Sequence, residues 1–352
     1  MKKYNRICPE GETVFVGIDL HRCSWHITVI CSGEVIFSGA HPPEPDKLLN
    51  FLKRYRPNRI EAVYEAGYFG FSLYELLNAS GIQCLVTPPT LLPMEYGNHV
   101  KTDRRDSRKL ANFLSKRILK AVCVPDPELC AHRQTLRRRQ QLLSDRIRIQ
   151  QRIKSELSFW GLSITNPRGP WTVSFYNRLK EIVFGNSYMN QSFIALLNEY
   201  EYLNRLIEQQ TGLLKELATS ELYAERVRLL RTVPGIGLLS ALHLIFELGD
   251  ISRFARAEQL AAYVGLTPSQ YSSGENVRMG RITRCGKSDL RTVLTEAAWT
   301  AIKKDTELRE VYESLKFRRG AKKAIVAVAR RLLLRCRRVL LDGTPYRLPV
   351  AA

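Results

Sequence analysis

Long apolar runs and paired cysteine motifs are both missing from this sequence of 352 residues. No apolar stretch approaches the roughly 18 residues that a transmembrane helix needs, and the N-terminal Met-Lys-Lys is not followed by the apolar segment of a signal peptide. Eight cysteines occur, but neither a CxxC pair nor the His/Cys spacing of a zinc site is among them. We therefore expect no membrane span, no export, and separate reduced thiols in a cytoplasmic protein.

Acidic residues are also in short supply. The 34 Asp and Glu face 54 Lys and Arg, which leaves a net charge of +20 and a pI near 9.8. Because each phosphate that a cation neutralises releases a condensed counterion, nucleic acid is the leading partner class, and association with the nucleoid is expected. A basic but unspecialised protein is the alternative. The length and the 45% apolar content are sufficient for two or three domains with real cores.

The first candidate site lies in the stretch from Thr13 to Ile30. Apolar residues from Val14 to Ile18 predict a mostly buried strand that ends in Asp19. A carboxylate on such a strand is an error of assignment, a paired charge or a metal ligand. Two more strands follow through residue 40, and strands and helices then alternate, including a strand that ends in Glu65. This α+β order is that of a RuvC or ribonuclease H-like core.

Two further acids, Asp103 and Asp106, stand three residues apart at the start of a predicted helix and therefore share one face. Acids are favoured in the first turn of any helix, where the dipole stabilises them, so the pair alone is ambiguous. If the helix packs on the strands that carry Asp19 and Glu65, four carboxylates converge. Such a cluster needs divalent cations between its members, and two magnesium ions would suit phosphodiester chemistry.

A long basic helix is predicted from Ala131 to Trp160, and residues 198–217 supply a partner pattern. The apolar residues at near-heptad spacing that would face the partner are Leu136, Leu143, Ile147, Ile153, Leu157 and Trp160. An antiparallel coiled-coil arm and a plain helical bundle are both compatible with this spacing. We expect three domains: 1–125, which carries the acids; 126–225, the helical coiled-coil arm; and 226–345, a mainly helical C-terminal domain.

The C-terminal part contains a helix, the turn Pro234-Gly235-Ile236-Gly237, and a second helix from Leu238. Glycine permits positive φ and close approach to a ligand, and the amides at the start of the next helix can hold a phosphate. The pattern is that of a helix-hairpin-helix element for sequence-neutral DNA binding through Gly235 and Gly237. A helical hairpin inside a core is the alternative.

A serine-containing loop follows in the sequence SQYSSGENVRMGRITRCGKSDLR. Serine in a glycine-rich loop is often simply turn chemistry. Here Ser272 and Ser273 lie among four cations that could hold a phosphate beside a hydroxyl. These cations are Arg278, Arg281, Arg284 and Lys287.

Taken as a set, these motifs resemble those of one family. GID with Asp19, YEAG with Glu65, and KTDRRDSRKLA with Asp103 and Asp106 resemble the DEDD motif of transposases of IS110-type insertion sequences, which include the Piv-like invertases. RTVPGIGLLSA, FARAEQLAAYVGLTP and SSGENVRMGRITRCGKSDLR resemble the C-terminal domain of that family, in the same order. The similarity runs from about Val14 to about Arg338.

The resemblance implies a DNA recombinase with a RuvC-like N-terminal domain and a C-terminal domain that supplies a serine nucleophile. It also implies a structured non-coding RNA, the bridge RNA, that pairs with both target and donor DNA. The four acids would hold magnesium, and Ser273, which precedes glycine, would form a phosphoserine link to DNA, with Ser272 as the adjacent alternative. Because several strands are exchanged in one assembly, a homodimer or homotetramer is expected.

Two other functions remain open at this point. A RuvC-type metal nuclease would use water as the nucleophile, and both serines would then be turn residues. A nucleic-acid-binding protein without chemistry would keep all its activity after replacement of Asp103 and Asp106 by alanine.

Overall fold

The computed structural model describes residues 8–93, 102–162, 169, 171–273, 276–283 and 285–347, and for residues 271–273 and 276–279 it describes the backbone alone. Contacts divide the chain into two compact units, Met1–Val124 and Pro125–Ala352. The division into three domains at residues 125 and 225 stays a prediction.

The first unit is built on a five-stranded mixed sheet. Its strands are β1 (Thr13–Leu20), β2 (Trp25–Cys31), β3 (Glu34–His41), β4 (Arg59–Glu65) and β5 (Gln83–Thr87). They lie in the order β3-β2-β1-β4-β5, with β2 antiparallel to its neighbours and β4 parallel to both β1 and β5. An antiparallel meander that continues into parallel strands is consistent with a ribonuclease H-like domain, which confirms the predicted α+β class.

Helices cover both faces of this sheet. They are α1 (Pro45–Leu52), α2 (Ser72–Ala79) and α3 (Asp103–Ser115). The core beneath α1 and α2 contains Val16 and Leu77, whereas Val63 packs with Leu110 and Leu114 of α3. Since neighbouring side chains of a strand point to opposite faces, the two cores lie on opposite sides of one sheet.

One prediction about the cysteines is wrong. Cys8 and Cys31 are joined by a disulfide, with their Cα atoms 6.0 Å apart. The amide of Asn58 donates to the Pro9 carbonyl at 2.9 Å, which holds the N-terminal segment near the sheet. A separation of 23 residues carries no pairing signal in a sequence. Six other cysteines in the described part of the chain are free thiols.

The second unit is mainly helical. Its first helices are α4 (Pro127–Phe159), α5 (Val173–Lys180), α6 (Ser187–Thr219), α7 (Ala224–Arg231), α8 (Leu238–Leu248) and α9 (Ala257–Val264). A two-stranded hairpin follows, β6 (Pro268–Ser273) and β7 (Asn276–Ile282), and then α10 (Ser288–Lys304), α11 (Thr306–Arg319) and α12 (Ala321–Asp342). None of the helices in the described ranges is both long and apolar enough to cross a bilayer.

The two longest helices, α4 and α6, pack in antiparallel orientation. Arg139 donates to the Thr211 hydroxyl at 2.7 Å, and Arg146, further along α4, donates to Asn204, earlier in α6, at 3.2 Å. Contacts that advance along one helix while they retreat along the other define an antiparallel pair. The predicted pairing of these segments therefore matches the structure.

The contact stripe on α4 differs in part from the predicted one. Ile147, which was expected to face the partner helix, is 53% exposed. Leu142, Ile149 and Ile153 are buried, and of these three only Ile153 was in the predicted stripe. Their spacings of seven and four residues continue a single face of the helix, from which Ile147 is rotated away.

Candidate metal centre and serine hairpin

Asp19 and Glu65 lie at the carboxyl ends of neighbouring parallel strands. The register pairs Ile18 of β1 with Tyr64 of β4, so Asp19 and Glu65 each follow that pair by one residue. Each acid lies two residues after a residue that faces α3, since Gly17 contacts that helix and Val63 packs against it. Residues two apart on a strand point to the same face. The two carboxylates therefore belong to the same face and the same edge of the sheet.

Helix α3 brings the other two acids to this edge. Asp103 precedes Ser107 by one turn, and the Ser107 hydroxyl bonds to Thr28 of β2 at 2.8 Å. Asp106 precedes Leu110 by one turn, and Leu110 packs on Val63 of β4. Residues four apart lie on the same side of a helix. Asp103 therefore lies on the side of α3 that faces β2 and β1, and Asp106 lies on the side that faces β4.

The close approach of α3 to the sheet depends on the absence of a side chain at Gly17. A Cβ atom there would lie 2.1 Å from the carbonyl oxygen of Ser107 and 2.5 Å from the amide nitrogen of Ala111. The helix is also held by polar contacts, since Nδ1 of His26 lies 2.8 Å from the Ser107 hydroxyl. Backbone contact of this kind brings the first turn of α3 as close to β1 as the fold allows.

His21 joins the site, and sequence reasoning did not find it. Its Nε2 atom lies 3.2 Å from Oδ2 of Asp19 and 3.4 Å from Oδ1 of Asp103. The ligand atoms of Asp19, His21 and Asp103 all lie within 4.8 Å of one another. The available signal was its position two residues after Asp19, at the end of a strand. Side chains two residues apart in an extended chain point to the same side, so an imidazole there lies beside the carboxylate.

The electrostatics of this site disfavour an ionised Asp19. Burial is the largest cause that raises the pKa of the Asp19 carboxyl above its ordinary value; His21 opposes the rise, and the charges of Asp106 and Asp103 add to it. Partly buried carboxylates that repel one another suit a divalent cation. Carboxylate oxygens fit both magnesium and manganese, and a transition-metal ion such as manganese accepts an additional imidazole more readily than magnesium does. The residues present therefore fit a metal centre.

The serine segment forms a β-hairpin where the sequence predicted a loop. The backbone of Ser272 pairs with Val277 and that of Ser273 pairs with Asn276, so both serines occupy the last two positions of β6. The segment contains residues with high β-propensity, such as Tyr271 and Val277. Their preference for a strand outweighs the glycines that suggested an irregular loop. The hydroxyls thus belong to residues next to the tip of a hairpin.

The four predicted phosphate contacts differ in their surroundings. Arg278 and Arg281 lie on β7, the latter with an exposed side chain, while Arg284 lies outside the described residues. The Lys287 ammonium lies 3.1 Å from Oε2 of Glu247, a carboxylate that is only 3% exposed. Lys287 thus forms a salt bridge with a buried carboxylate of its own chain, and its contact with phosphate stays a prediction.

The order of elements in the predicted helix-hairpin-helix segment matches the structure, since α7 is followed by the glycine turn and α8 begins at Leu238. Gly235 has φ +88°, and a Cβ atom there would lie 2.3 Å from the Ala297 carbonyl of α10. Its close approach is therefore to a helix of its own unit. Gly237 is exposed and precedes α8, with φ −90°. The binding of nucleic acid by both glycines stays a prediction.

Comparisons with known proteins cover both units. A DEDD transposase model of the IS110 type matches residues 16–160, which include all four acids. A model described as transposase, IS116/IS110/IS902 family, matches residues 227–313, which include the glycine turn and the serine hairpin.

Individual relatives extend this similarity over most of the chain. Protein y4qE of Sinorhizobium fredii is 31% identical over 300 residues, which cover 84% of this chain and 73% of that protein. The transposase for insertion sequence element IS1533 of Leptospira borgpetersenii is 28% identical over 292 residues, which cover 81% and 84%. The pilin gene-inverting protein of Moraxella bovis is 32% identical over 129 residues, which cover 34% and 38%. The chain belongs to the IS110 family of transposases.

Proposed function

We propose that this transposase cuts and rejoins DNA with a serine nucleophile and with a metal centre held by Asp19, Glu65, Asp103 and Asp106. The observation that carries the proposal is the meeting of Asp19, His21 and Asp103 at one edge of a ribonuclease H-like sheet, with ligand atoms within 4.8 Å. Glu65 on the adjacent strand and Asp106 on the same helix extend the set. A cation site of this kind at the edge of such a sheet suits phosphodiester chemistry.

The role of the four acids in this proposal is to bind the metal ions and to hold them in a fixed position. Asp19 and Glu65 are fixed by the sheet, while Asp103 and Asp106 are fixed by a helix that rests on the backbone at Gly17. The chemistry supplied by bound magnesium, for which we propose two ions, is polarisation of the scissile phosphate and support for deprotonation of the attacking group. A rigid arrangement of ligands reduces the reorganisation needed at the moment of reaction.

In the proposed step, the Oγ atom of Ser273 attacks phosphorus. An Oγ–P bond forms, one P–O ester bond to a sugar breaks, and the proton lost by serine is balanced by the proton that the leaving sugar hydroxyl gains. Arg278, Arg281 and Arg284, with Lys287, would neutralise the equatorial oxygens. Because the serine ester preserves the phosphodiester energy, attack by another sugar hydroxyl rejoins strands without ATP. Ser272 is the alternative nucleophile.

Nucleic acid partners follow from the family and from charge. We propose that a bridge RNA pairs with target and donor DNA, that the protein works with the nucleoid in the cytoplasm, and that exchange needs a homodimer or homotetramer. The net charge of +20 and the antiparallel α4 and α6 pair, which offers a helical arm for assembly, support this. RNA that is purified with the protein and sequenced would map to the flanks of its reading frame.

A RuvC-like nuclease that uses water is the second candidate. It is favoured by the acid cluster itself, because metal-bound carboxylates can direct hydrolysis without a serine. Under this function, Ser272 and Ser273 would only shape the end of the hairpin.

The experiment that separates the two uses labelled duplex DNA from an end of the element, RNA transcribed from the flank of the reading frame, and magnesium. After denaturation, the proposal expects labelled DNA to remain attached to the protein, and the attachment to be lost in Ser273→Ala and in Asp103→Asn. Ser272→Ala is the matched control and keeps the attachment. Cut DNA without any attached protein would overturn the serine step and favour hydrolysis.

A further inference from the structure

We propose that Arg22 and Tyr68 form a stacking platform for one unpaired base of the DNA strand whose phosphate is held at the acid cluster. The guanidinium carbon of Arg22 lies 5.5 Å from the centroid of the Tyr68 ring. The tyrosine is 62% exposed, although it is a large aromatic residue. This proposal rests on the proposed function for the nature of its ligand.

The platform is placed by the same two strands that carry the first two acids. Arg22 follows Asp19 by three residues, and Tyr68 follows Glu65 by three residues. Both therefore leave the sheet at the carboxyl edge of adjacent parallel strands. Three residues of extended chain reach at most about 10 Å, so the Cα atoms of Arg22 and Tyr68 lie within that distance of the Cα atoms of Asp19 and Glu65. The platform is therefore a few nucleotide steps from a phosphate held by the acids.

The aromatic ring has a firm support. The rings of Tyr68 and Phe69 have centroids 4.3 Å apart at an interplanar angle of 32°. Phe69 in turn meets Trp25 edge to face at 6.3 Å, and Trp25 is 3% exposed in the core. The Tyr64 hydroxyl donates to the Gly70 carbonyl at 3.0 Å, which ties the segment to β4. A series of aromatic contacts thus leads from the exposed ring to the core.

The chemistry of this platform favours a nucleotide. Every base has a π face that can stack on an exposed tyrosine or on the guanidinium plane that lies over it, and the same arginine can pair with the adjoining phosphate. A base inside a duplex has both faces covered by its neighbours, so only an unpaired base is available for stacking. Strand exchange supplies unpaired bases near the cut. The ligand class is therefore single-stranded DNA next to the reacting phosphate.

Binding of a probe tests the platform directly. The probe is a fluorescein-labelled 12-nucleotide oligodeoxythymidylate in calcium-containing buffer, and its Kd is measured by anisotropy with the full chain. We expect Tyr68→Ala to weaken binding by about 5- to 100-fold and Tyr68→Phe to stay within about twofold of wild type, because phenylalanine keeps the stacking face. Arg22→Ala should weaken binding and reduce the slope of log Kd against log salt concentration by about one.

Tyr202→Ala is the matched control. Tyr202 is 54% exposed and also has an arginine near its ring, since the Arg205 guanidinium carbon lies 5.9 Å from the centroid. It lies on α6 in the other unit, and its replacement should leave Kd unchanged. Unchanged affinity in Tyr68→Ala, or an equal or larger loss of affinity in Tyr202→Ala, would overturn the proposal.

A second measurement needs no variant. The same oligonucleotide with 5-iododeoxyuridine in place of thymidine is irradiated with the wild-type protein, and the attached peptide is sequenced. We expect attachment at Tyr68 or Phe69, and attachment only at other segments would overturn the platform. If the platform fails while Asp103→Asn still abolishes cutting, the proposed function stands; if Asp103→Asn cuts as wild type, the proposed function fails whatever Tyr68 binds.

Discussion

Gly17 of β1 and Ser107 of α3 meet backbone to backbone, so closely that a Cβ atom on Gly17 would lie 2.1 Å from the Ser107 carbonyl oxygen. This contact sets the distance between the helix that carries Asp103 and Asp106 and the strand that carries Asp19. The glycine in the sequence GID is therefore explained by packing. The same contact fixes the position of Asp103 and Asp106 relative to Asp19, which follows the glycine by two residues.

Replacement of Gly17 by alanine should separate α3 from the sheet. A methyl group at this position would collide with two backbone atoms of α3 and also press on the Cβ atom of Ala111 at 3.0 Å. We therefore expect a loss of about 1–3 kcal/mol in the free energy of unfolding, together with loss of DNA cutting. Denaturant unfolding of the purified variant measures the first effect. Gly67→Ala is the control in the same unit, because a methyl group there would meet a Glu65 carbonyl oxygen only at 3.9 Å. Equal stability of both variants would contradict the packing argument.

Replacement of Asp19 by asparagine should stabilise the metal-free protein while it abolishes cutting. Because the pKa of Asp19 is raised in the folded state, its ionisation opposes folding at pH 7, and this cost disappears as the pH falls below the ordinary range of aspartate. Solvent screens the partly exposed site, so we expect a gain of about 1 kcal/mol or less. Thermal unfolding at pH 7 without metal measures it. The exposed Asp46→Asn should show no gain, and a less stable Asp19→Asn would contradict the expectation.

His21 should strengthen the binding of first-row transition-metal ions more than that of magnesium. An imidazole nitrogen binds manganese more readily than it binds magnesium, so His21→Ala should raise the manganese concentration for half-maximal cutting more than the magnesium concentration. Activity titrations with each ion give the two values. His41→Ala is the control, because that ring bonds to the carbonyl of Pro42 at 2.8 Å and not to the acids. An equal shift for both ions would show that His21 only orients Asp19 and Asp103.

The buried carboxylate of Glu247 should make the second unit sensitive to acid. Burial raises the pKa of this carboxyl, but the charges and hydrogen bonds of Lys287 and Arg137 outweigh burial, so its pKa is lowered overall. Its stabilising contribution is therefore complete above the ordinary glutamate range and is lost as the pH falls through the lowered pKa.

Glu247→Ala removes the buried partner of two cations that are themselves partly exposed, and should cost about 1.5–3 kcal/mol in the free energy of unfolding at pH 7, with a smaller cost at acidic pH. Glu225→Ala, which removes an exposed partner of Arg228, is the control and should produce no measurable change. Denaturant unfolding of both variants and of the wild type, repeated across a range of pH, measures these free energies. A pH-independent difference between Glu247→Ala and wild type would contradict the assignment.

Sequence reasoning located features with local or periodic signals. The strand that ends in Asp19 and the helix that begins at Asp103 follow from apolar spacing, and their residues fall where the structure has them. Contacts between distant residues have no such signal, so the Cys8–Cys31 bridge and the pairing of Glu247 with Lys287 were not predictable. The hairpin at Ser273 was missed because its glycines and serines indicate turns more strongly than its short apolar positions indicate strands.

We propose that acids from β1, β4 and α3 share one metal centre. Ferrous iron that replaces magnesium in this centre generates hydroxyl radicals with ascorbate and peroxide, and mass spectrometry maps the resulting cuts in the polypeptide. We predict cuts near Asp19, Glu65 and Asp103 that excess magnesium suppresses and that Asp103→Asn together with Asp106→Asn removes. Cuts confined to other segments, or cuts that magnesium leaves unchanged, would contradict it.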